Sequence, residues 1–471
     1  MSFKSSDLRA TQRLADFVAN VTVGATPEDV KAVASMALLD TIGIAIGGVA
    51  FERANNDTSL ADYLDAVGVS GTATVIGDAL RVPPLMAAFA NGFRSEILDF
   101  QDTYLAGKVH CSSVVIPSVL AAGETAKASG ADVLAAIIAG YEVGCRIAGA
   151  VMPDHARAGF QITGTYTTCA AAVAAGRALG WDTGRIAQAL AISGFVIPAS
   201  NADNVLNGHT VKPVHAGQAA MSGLSAALMA QSGFQAGPLE GEAPRYFAPL
   251  LILGCREPEL SVIVEGLGIR WRSLDTSFKK APAMLVNAGP VEAVLALRVG
   301  YGLSGDEIEA VEVYTFHDAY GLAGQSYTQP GCTYVHAQFS MPFCIAAALT
   351  DGELTQRQFL DTRLADERLH ALAAKVTVHH DPDYSARFPG EWPVRVEVRL
   401  RSGNTVSKTV DIVDWSNHRP PGWQDIASKF AELTAPVLGD QAVSGIVEMV
   451  RDIESLEDIG ALLKLTRPLD A

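Results

Sequence analysis

Apolar positions keep one spacing through the first half of this chain and then change to another. Thr26-Pro27-Glu28-Asp29 offers a capping hydroxyl, a proline for the first helical position and two acids for the positive end of a helix. Val30, Val33, Met36 and Ala37 then follow at helical spacing. Stretches rich in Ala and Gly at 131–148, 169–179, 186–192 and 216–230 predict further helices, whose small side chains let neighbours approach closely. The texture changes near 266–275. Beyond it, residues 307–315 (EIEAVEVYT), 375–379, 394–401 and 405–410 alternate or run apolar as strands do, and Ser402-Gly403-Asn404 suits a hairpin turn between the last two. Helical spacing returns after Gly422, through Lys429, Phe430 and Leu433 to 446–450 and 462–465. The pattern predicts a mainly α protein with a second α+β domain. Residues 1–267 and 413–471 form a large discontinuous helical domain, and residues 268–412 a smaller α+β domain. The chain should cross between them near 266–275 and 405–425, with the C-terminal helices returning to the N-terminal ones.

Composition narrows the function classes. With 471 residues, 49% hydrophobic and 18% charged, the chain can bury a large core. A net charge of −16 argues against a nucleic-acid or anionic-membrane partner, so an anionic ligand would need a local basic pocket. Cys111, Cys145, Cys169, Cys255, Cys332 and Cys344 form no C-x-x-C pair, which points to reduced thiols and a cytoplasmic protein rather than a disulfide framework or zinc site. No apolar signal-like run occupies the first ten residues, and the long uncharged stretches are too polar to predict a membrane span. Phosphate-binding loops, nucleophile elbows and H-E-x-x-H are missing. His379-His380-Asp381 is the one metal-like run, but neighbouring strand residues face opposite ways. Cofactor-free, metal-free acid–base chemistry is therefore expected.

The candidate for that chemistry is the segment 98–113, LDFQDTYLAGKVHCSS, which gathers Asp99, Asp102, Thr103, Lys108 and His110 between apolar stretches. A polar loop at the edge of a packed core is where function tends to sit. A capped helix junction with solvated charges is the plainer alternative.

The same segment resembles the Leu-Asp-Phe-Asp-Asp-Thr and His-Pro-Ser blocks of the MmgE/PrpD family. The likeness continues through AVASMALLDTIGIAIG at 32–47, GYEVGCR at 140–146, GPLEG at 237–241, FKKAPA at 278–283 and AQFSMPF at 337–343. It implies a helical domain, an α+β lid and a cleft between them, in a homodimer. It also implies proton abstraction next to a carboxylate of a small di- or tricarboxylate. By resemblance, His110 and Lys279 are the acid–base groups and Asp99 and Thr103 orient them. Lys212 and His215 of the VKPVHAG block, Arg146, Tyr141 and Gln161 would contact substrate, with the lysines anchoring its carboxylates. Three positions depart from the pattern. Gln161 stands where a histidine is expected, Met284 lies where another would follow Lys279, and Phe343 replaces a tyrosine. These changes weigh against 2-methylcitrate dehydration and more strongly against cis-aconitate decarboxylation. A dehydratase or hydratase leads on family frequency, a dicarboxylate epimerase follows, and a non-catalytic anion-binding member is the alternative from another class.

Overall fold

The computed structural model describes residues 9–468 apart from 69, 242–258, 260, 326 and 328–331. Its helical part is built on α1 (Glu28–Asn55), α2 (Pro84–Arg94), α3 (Ser112–Ala126), α4 (Gly130–Val151), α5 (Thr167–Ala178) and α6 (Val214–Gln231). Helix α5, TTCAAAVAAGRA, is small and uncharged nearly all round, so it can be enclosed on every side. Helices α3, α4 and α6 all pack on it, and Thr167 through Gly176 are buried. Helices α1 and α4 are long and apolar enough to cross a membrane by length and composition. Neighbouring elements bury 83% and 94% of their apolar windows, which makes them core helices of this fold.

The proline expected at the first position of α1 sits one place earlier. Pro27 is the cap residue itself, and the Thr26 hydroxyl donates back to the Thr22 carbonyl (2.8 Å) instead of capping. The acids Glu28 and Asp29 remain in the first turn, where the helix dipole favours them.

The mixed part carries helices α7 (Ala288–Tyr301) and α8 (Met341–Asp351) and a four-stranded sheet. The chain also forms a short ribbon of β1 (Thr103–Tyr104) and β2 (Thr276–Ser277). The larger sheet comprises β3 (Ile308–Thr315), β4 (Val376–His380), β5 (Val394–Leu400) and β6 (Thr405–Val410) in the order β4-β3-β5-β6, with β3 and β4 parallel and the other pairs antiparallel. Alternation places Val394, Val396 and Val398 on the buried face, and α7 packs against β5 and β6. Gly403 takes φ +89° in the β5–β6 turn, a conformation that favours glycine. On β4, His379 Nε2 meets Glu312 (2.6 Å) while His380 Nε2 meets Ser385 (2.8 Å), so the two rings serve different partners.

Helices α9 (Trp423–Thr434) and α10 (Asp440–Arg451) return to α1. Gly43 and Gly47 of α1 leave room for Phe430 and Leu433. A Cβ at Gly43 would lie 2.9 Å from the Phe430 ring. The other crossing lies later than the change of texture at 266–275. Arg272–Asp275 packs on α1 and α4, and β2 pairs with β1, so the chain stays with the helical part past Ser277.

Candidate active site

Two helix ends and one short ribbon assemble the site. Gly92 on α2 and Gly217 on α6 let these helices nearly touch: a Cβ on Gly92 would stand 2.9 Å from the Gly217 Cα. This contact brings the turn after α2, carrying Glu96 and Asp99, against the turn before α6, carrying Lys212. The β1–β2 pairing, with Thr103 opposite Ser277, sets Lys279 beside Asp99. Lys429, delivered by α9, donates to the carbonyls of Phe100 (2.9 Å) and Lys279 (3.1 Å) and pairs with Asp40 (2.8 Å), which fixes both strand ends.

The result is a buried alternation of charge. Lys279 Nζ donates to Asp99 Oδ2 (2.8 Å) and to the Asp99 carbonyl (2.7 Å), and Lys212 Nζ meets Asp99 Oδ1 (2.8 Å) and Glu96 Oε1 (2.9 Å). His215 Nε2 lies 3.1 Å from the same Glu96 oxygen. Asp99 holds φ +49°, a left-handed conformation that aspartate tolerates better than most residues, and in it both its carbonyl and its carboxylate reach Lys279. Burial alone would raise both carboxyls. Lys212 together with His215 outweighs it for Glu96, and Lys212 with Lys279 outweighs it for Asp99, so both lie below the ordinary range. The two lysines then differ. Burial would lower Lys212, but Asp99 and Glu96 together raise it, whereas burial dominates for Lys279 and lowers it. Lys212 is the fixed cation, and Lys279 is the ammonium that gives up its proton more readily.

His110 is oriented by main chain. Its Nδ1 lies 2.7 Å from the Asp102 carbonyl and 3.1 Å from Thr103 Oγ1. A carbonyl only accepts, so Nδ1 carries the proton and Nε2 keeps its lone pair. Burial lowers the imidazole to about 4, so the ring is neutral near pH 7.

Asp99, Thr103, His110, Gln161 and Lys279 line one cavity of about 230 Å³. Lys212 and His215 line a second, of about 240 Å³, and reach the first group through Glu96 and Asp99. The Gln161 Oε1 accepts from the Thr163 amide (2.7 Å), shaping the wall at that point.

Two expected substrate contacts are corrected. Arg146 is buried and spends its guanidinium on Glu142 (3.2 Å) and on the carbonyls of Val262, Glu265, Gly266 and Arg270, so it braces the chain after α4 and does not line the cavity. Tyr141 donates to Asp102 Oδ2 (2.6 Å), away from the cavity lining, and acts only by holding the residue whose carbonyl orients His110. The anchoring role given to the lysines also changes, because each is already neutralised by Glu96 or Asp99. Phe343 is a core ring against Tyr327 and Phe359, while Met284 does line the cavity.

Glu96 and Lys429 are not among the expected site residues, and Asp102, noted within the candidate segment, is given no role there. The spacing Glu96-x-x-Asp99, one turn apart, is the signal that marks Glu96. Glu96, Asp99 and His110 place donor atoms within 4.8 Å of one another, a metal-like spacing, but both carboxylates already bind ammonium groups that a divalent ion would have to displace.

Family comparison decides what this geometry belongs to. Models of the MmgE/PrpD N-terminal and C-terminal domains match residues 12–247 and 282–455. The chain belongs to the MmgE/PrpD family. Relatives named cis-aconitate decarboxylase are 26% identical to it: one from Aspergillus terreus (strain NIH 2624 / FGSC A1156), aligned over 99% of this chain and 98% of its own, and one from Homo sapiens, over 97% and 94%. A cis-aconitate decarboxylase-like protein from Aspergillus oryzae is 25% identical over 97% of this chain and 96% of its own. The two MmgE/PrpD domain matches leave residues 248–281 between them, an interval that contains both the change of texture at 266–275 and the β2 strand. Helices α9 and α10, although within the second match as far as residue 455, pack on α1.

Proposed function

We propose that this MmgE/PrpD protein is a cofactor-independent lyase that takes a proton from the carbon next to a carboxylate of a small di- or tricarboxylate. One observation carries the reading. A neutral imidazole with an Nε2 lone pair and a buried ammonium of lowered proton affinity line the same cavity. His110 Nε2 takes the proton, and the C–H electron pair passes into the carboxylate, whose growing charge the Lys279 ammonium stabilises. In the lead form, dehydration, the carbon–carbon double bond forms as the C–O bond of a neighbouring hydroxyl breaks, and Lys279 gives that hydroxide a proton to release water. Lys212 stays charged throughout and holds Asp99 in place. Loss of carbon dioxide is the second form, favoured by the names of the full-length relatives. There the C–C electron pair is left on carbon as carbon dioxide departs, and that carbon takes its proton from the Lys279 ammonium.

Incubation with a panel of hydroxy and unsaturated di- and tricarboxylates in deuterated buffer, followed by NMR, tests the reading. Release of water with solvent deuterium exchanged into the remaining substrate, addition of deuterated water to an unsaturated acid, or release of carbon dioxide with deuterium in the product supports it. Exchange without elimination would mean an epimerase, and no exchange with any acid would refute proton abstraction.

The pH profile supplies an independent check. His110 works unprotonated, so kcat/KM should hold from neutrality downward and fall only as pH drops through about 4. Lys279 works protonated, so activity should fall on the alkaline side through a pKa below the ordinary 10.5 of lysine. An acid limb at pH 6–7 would show that the base is another group or that His110 is not buried in the working enzyme.

We further propose a homodimer, which the family resemblance implies and which is the commonest closed oligomer. Sedimentation velocity should give twice the 49.5 kDa chain mass at micromolar concentration, and a stable monomer would contradict this.

A further inference from the structure

The cavity beside His110 has a charge balance that a compact polycarboxylate does not fit. Among its described lining residues, the acids Asp99 and Asp318 and the bases Lys108 and Lys279 are matched pair for pair, with Lys279–Asp99 and Lys108–Asp318 at 2.8 and 2.9 Å. Behind them Lys212 is matched by Glu96 in the same way. His110, neutral near pH 7, adds no charge. A trianion placed here would bring three charges to a wall with no net positive charge, and burying unmatched charge is costly.

Most of the remaining wall is hydrocarbon. Met152, Phe160, Leu206, Met284, Leu322 and Phe388 line it, together with other aliphatic side chains. Burial orders the cavity from end to end. Asp99 and Lys279 are almost fully enclosed, whereas Leu206 is 45% exposed and the Lys108–Asp318 pair is partly solvated. The polar head therefore sits deep and the apolar wall runs outward to the rim.

Resting on the proton-abstraction reading above, we propose that the substrate is an acid with one or two carboxylates and a hydrocarbon arm several carbons long. Its head lies at Lys279 and His110, and its arm lies along Met152, Phe160, Leu206, Met284 and Phe388. An arm exploits surface that a compact tricarboxylate would leave wet, and fewer carboxylates suit the matched charges. Each methylene that enters such a wall should tighten binding about three- to fourfold.

Calorimetric titration of the full chain with 2-alkylsuccinates from methyl to octyl, and with tricarballylate as the compact trianion, tests the proposal. Deuterium exchange next to the carboxylates is followed in parallel by NMR. Affinity should climb three- to fourfold per methylene until the arm is filled, and butylsuccinate should bind at least tenfold more tightly than tricarballylate. Affinity that is flat along the series, or tricarballylate as the tighter ligand, would overturn the proposal. If exchange is nonetheless seen, proton abstraction stands. Chain-length-dependent binding without exchange would support the ligand class and sink the proton-abstraction reading instead. Leu206→Lys, at a half-exposed position that tolerates a charge, should flatten the chain-length dependence and improve tricarballylate binding about tenfold. An unchanged series in that variant would count against the arm lying on this wall.

Discussion

Lys279→Met is expected to lower kcat/KM by about 10²–10⁴ while the protein still folds, because the substitution removes a proton-transfer group from an otherwise complete site. Methionine keeps a long unbranched stem in the space that Lys279 fills, and Asp99 retains its other partner, Lys212, at 2.8 Å. The groups that place residue 279 are main-chain ones: Lys429 donates to its carbonyl, and the β1–β2 ribbon precedes it. None of these depends on the ammonium. The loss should therefore fall on kcat, with circular dichroism unchanged. A variant that keeps kcat and only raises KM would mark Lys279 as a carboxylate anchor. One that keeps both would remove it from the chemistry. His110→Gln should lose activity to a similar degree, since it deletes the Nε2 lone pair, and its residual activity should no longer show the acid limb near pH 4.

Much of the fold can be read directly from spacing. The alternation in β5 and β6 and the Ser402-Gly403-Asn404 turn predict the hairpin, whose strands end at Leu400 and begin at Thr405. The Ala-rich stretch at 169–179 predicts α5 because a helix without bulky or charged side chains can be surrounded by others. Boundaries are less legible. The texture changes at 266–275, yet Arg272–Asp275 and β2 stay with the helical part because their partners, α1, α4 and β1, lie more than a hundred residues away in sequence.

The site shows the same division. Asp99, Thr103 and His110 are recognisable because they crowd one segment, and Lys279 through family resemblance. Local composition says nothing of where their charges go. Lys212 and Glu96 are 116 residues apart, and Lys279 and Asp99 are 180 apart, so the mutual neutralisation that removes two anchoring cations is visible only in three dimensions. Arg146 misleads for a related reason. Its spacing from Glu142 on α4 allows a helical ion pair, but the carbonyls that absorb its other donors come from a distant stretch that sequence cannot place.

Because the charges are matched across such distances, Asp99→Asn is expected to destabilise the protein by ~3–5 kcal/mol, the usual cost of stranding a buried partner. Asparagine has nearly the same shape and tolerates the left-handed φ of +49° as well as aspartate does, so the change removes charge without adding backbone strain. What remains is two buried ammonium groups with one carboxylate, Glu96, which pairs with Lys212 and His215 but not with Lys279. Lys279 would then face an amide that cannot neutralise it. Adding Lys279→Met to Asp99→Asn should restore part of the lost stability, because it removes the unmatched cation and leaves Lys212 with Glu96. The double variant should be less destabilised than the sum of the two singles by about 1–3 kcal/mol, as for other residues in direct contact. Urea-unfolding midpoints of the four proteins give the answer. Strict additivity would mean that Asp99 and Lys279 do not share charge in the folded protein, and the matched-charge account of the site would fail with it.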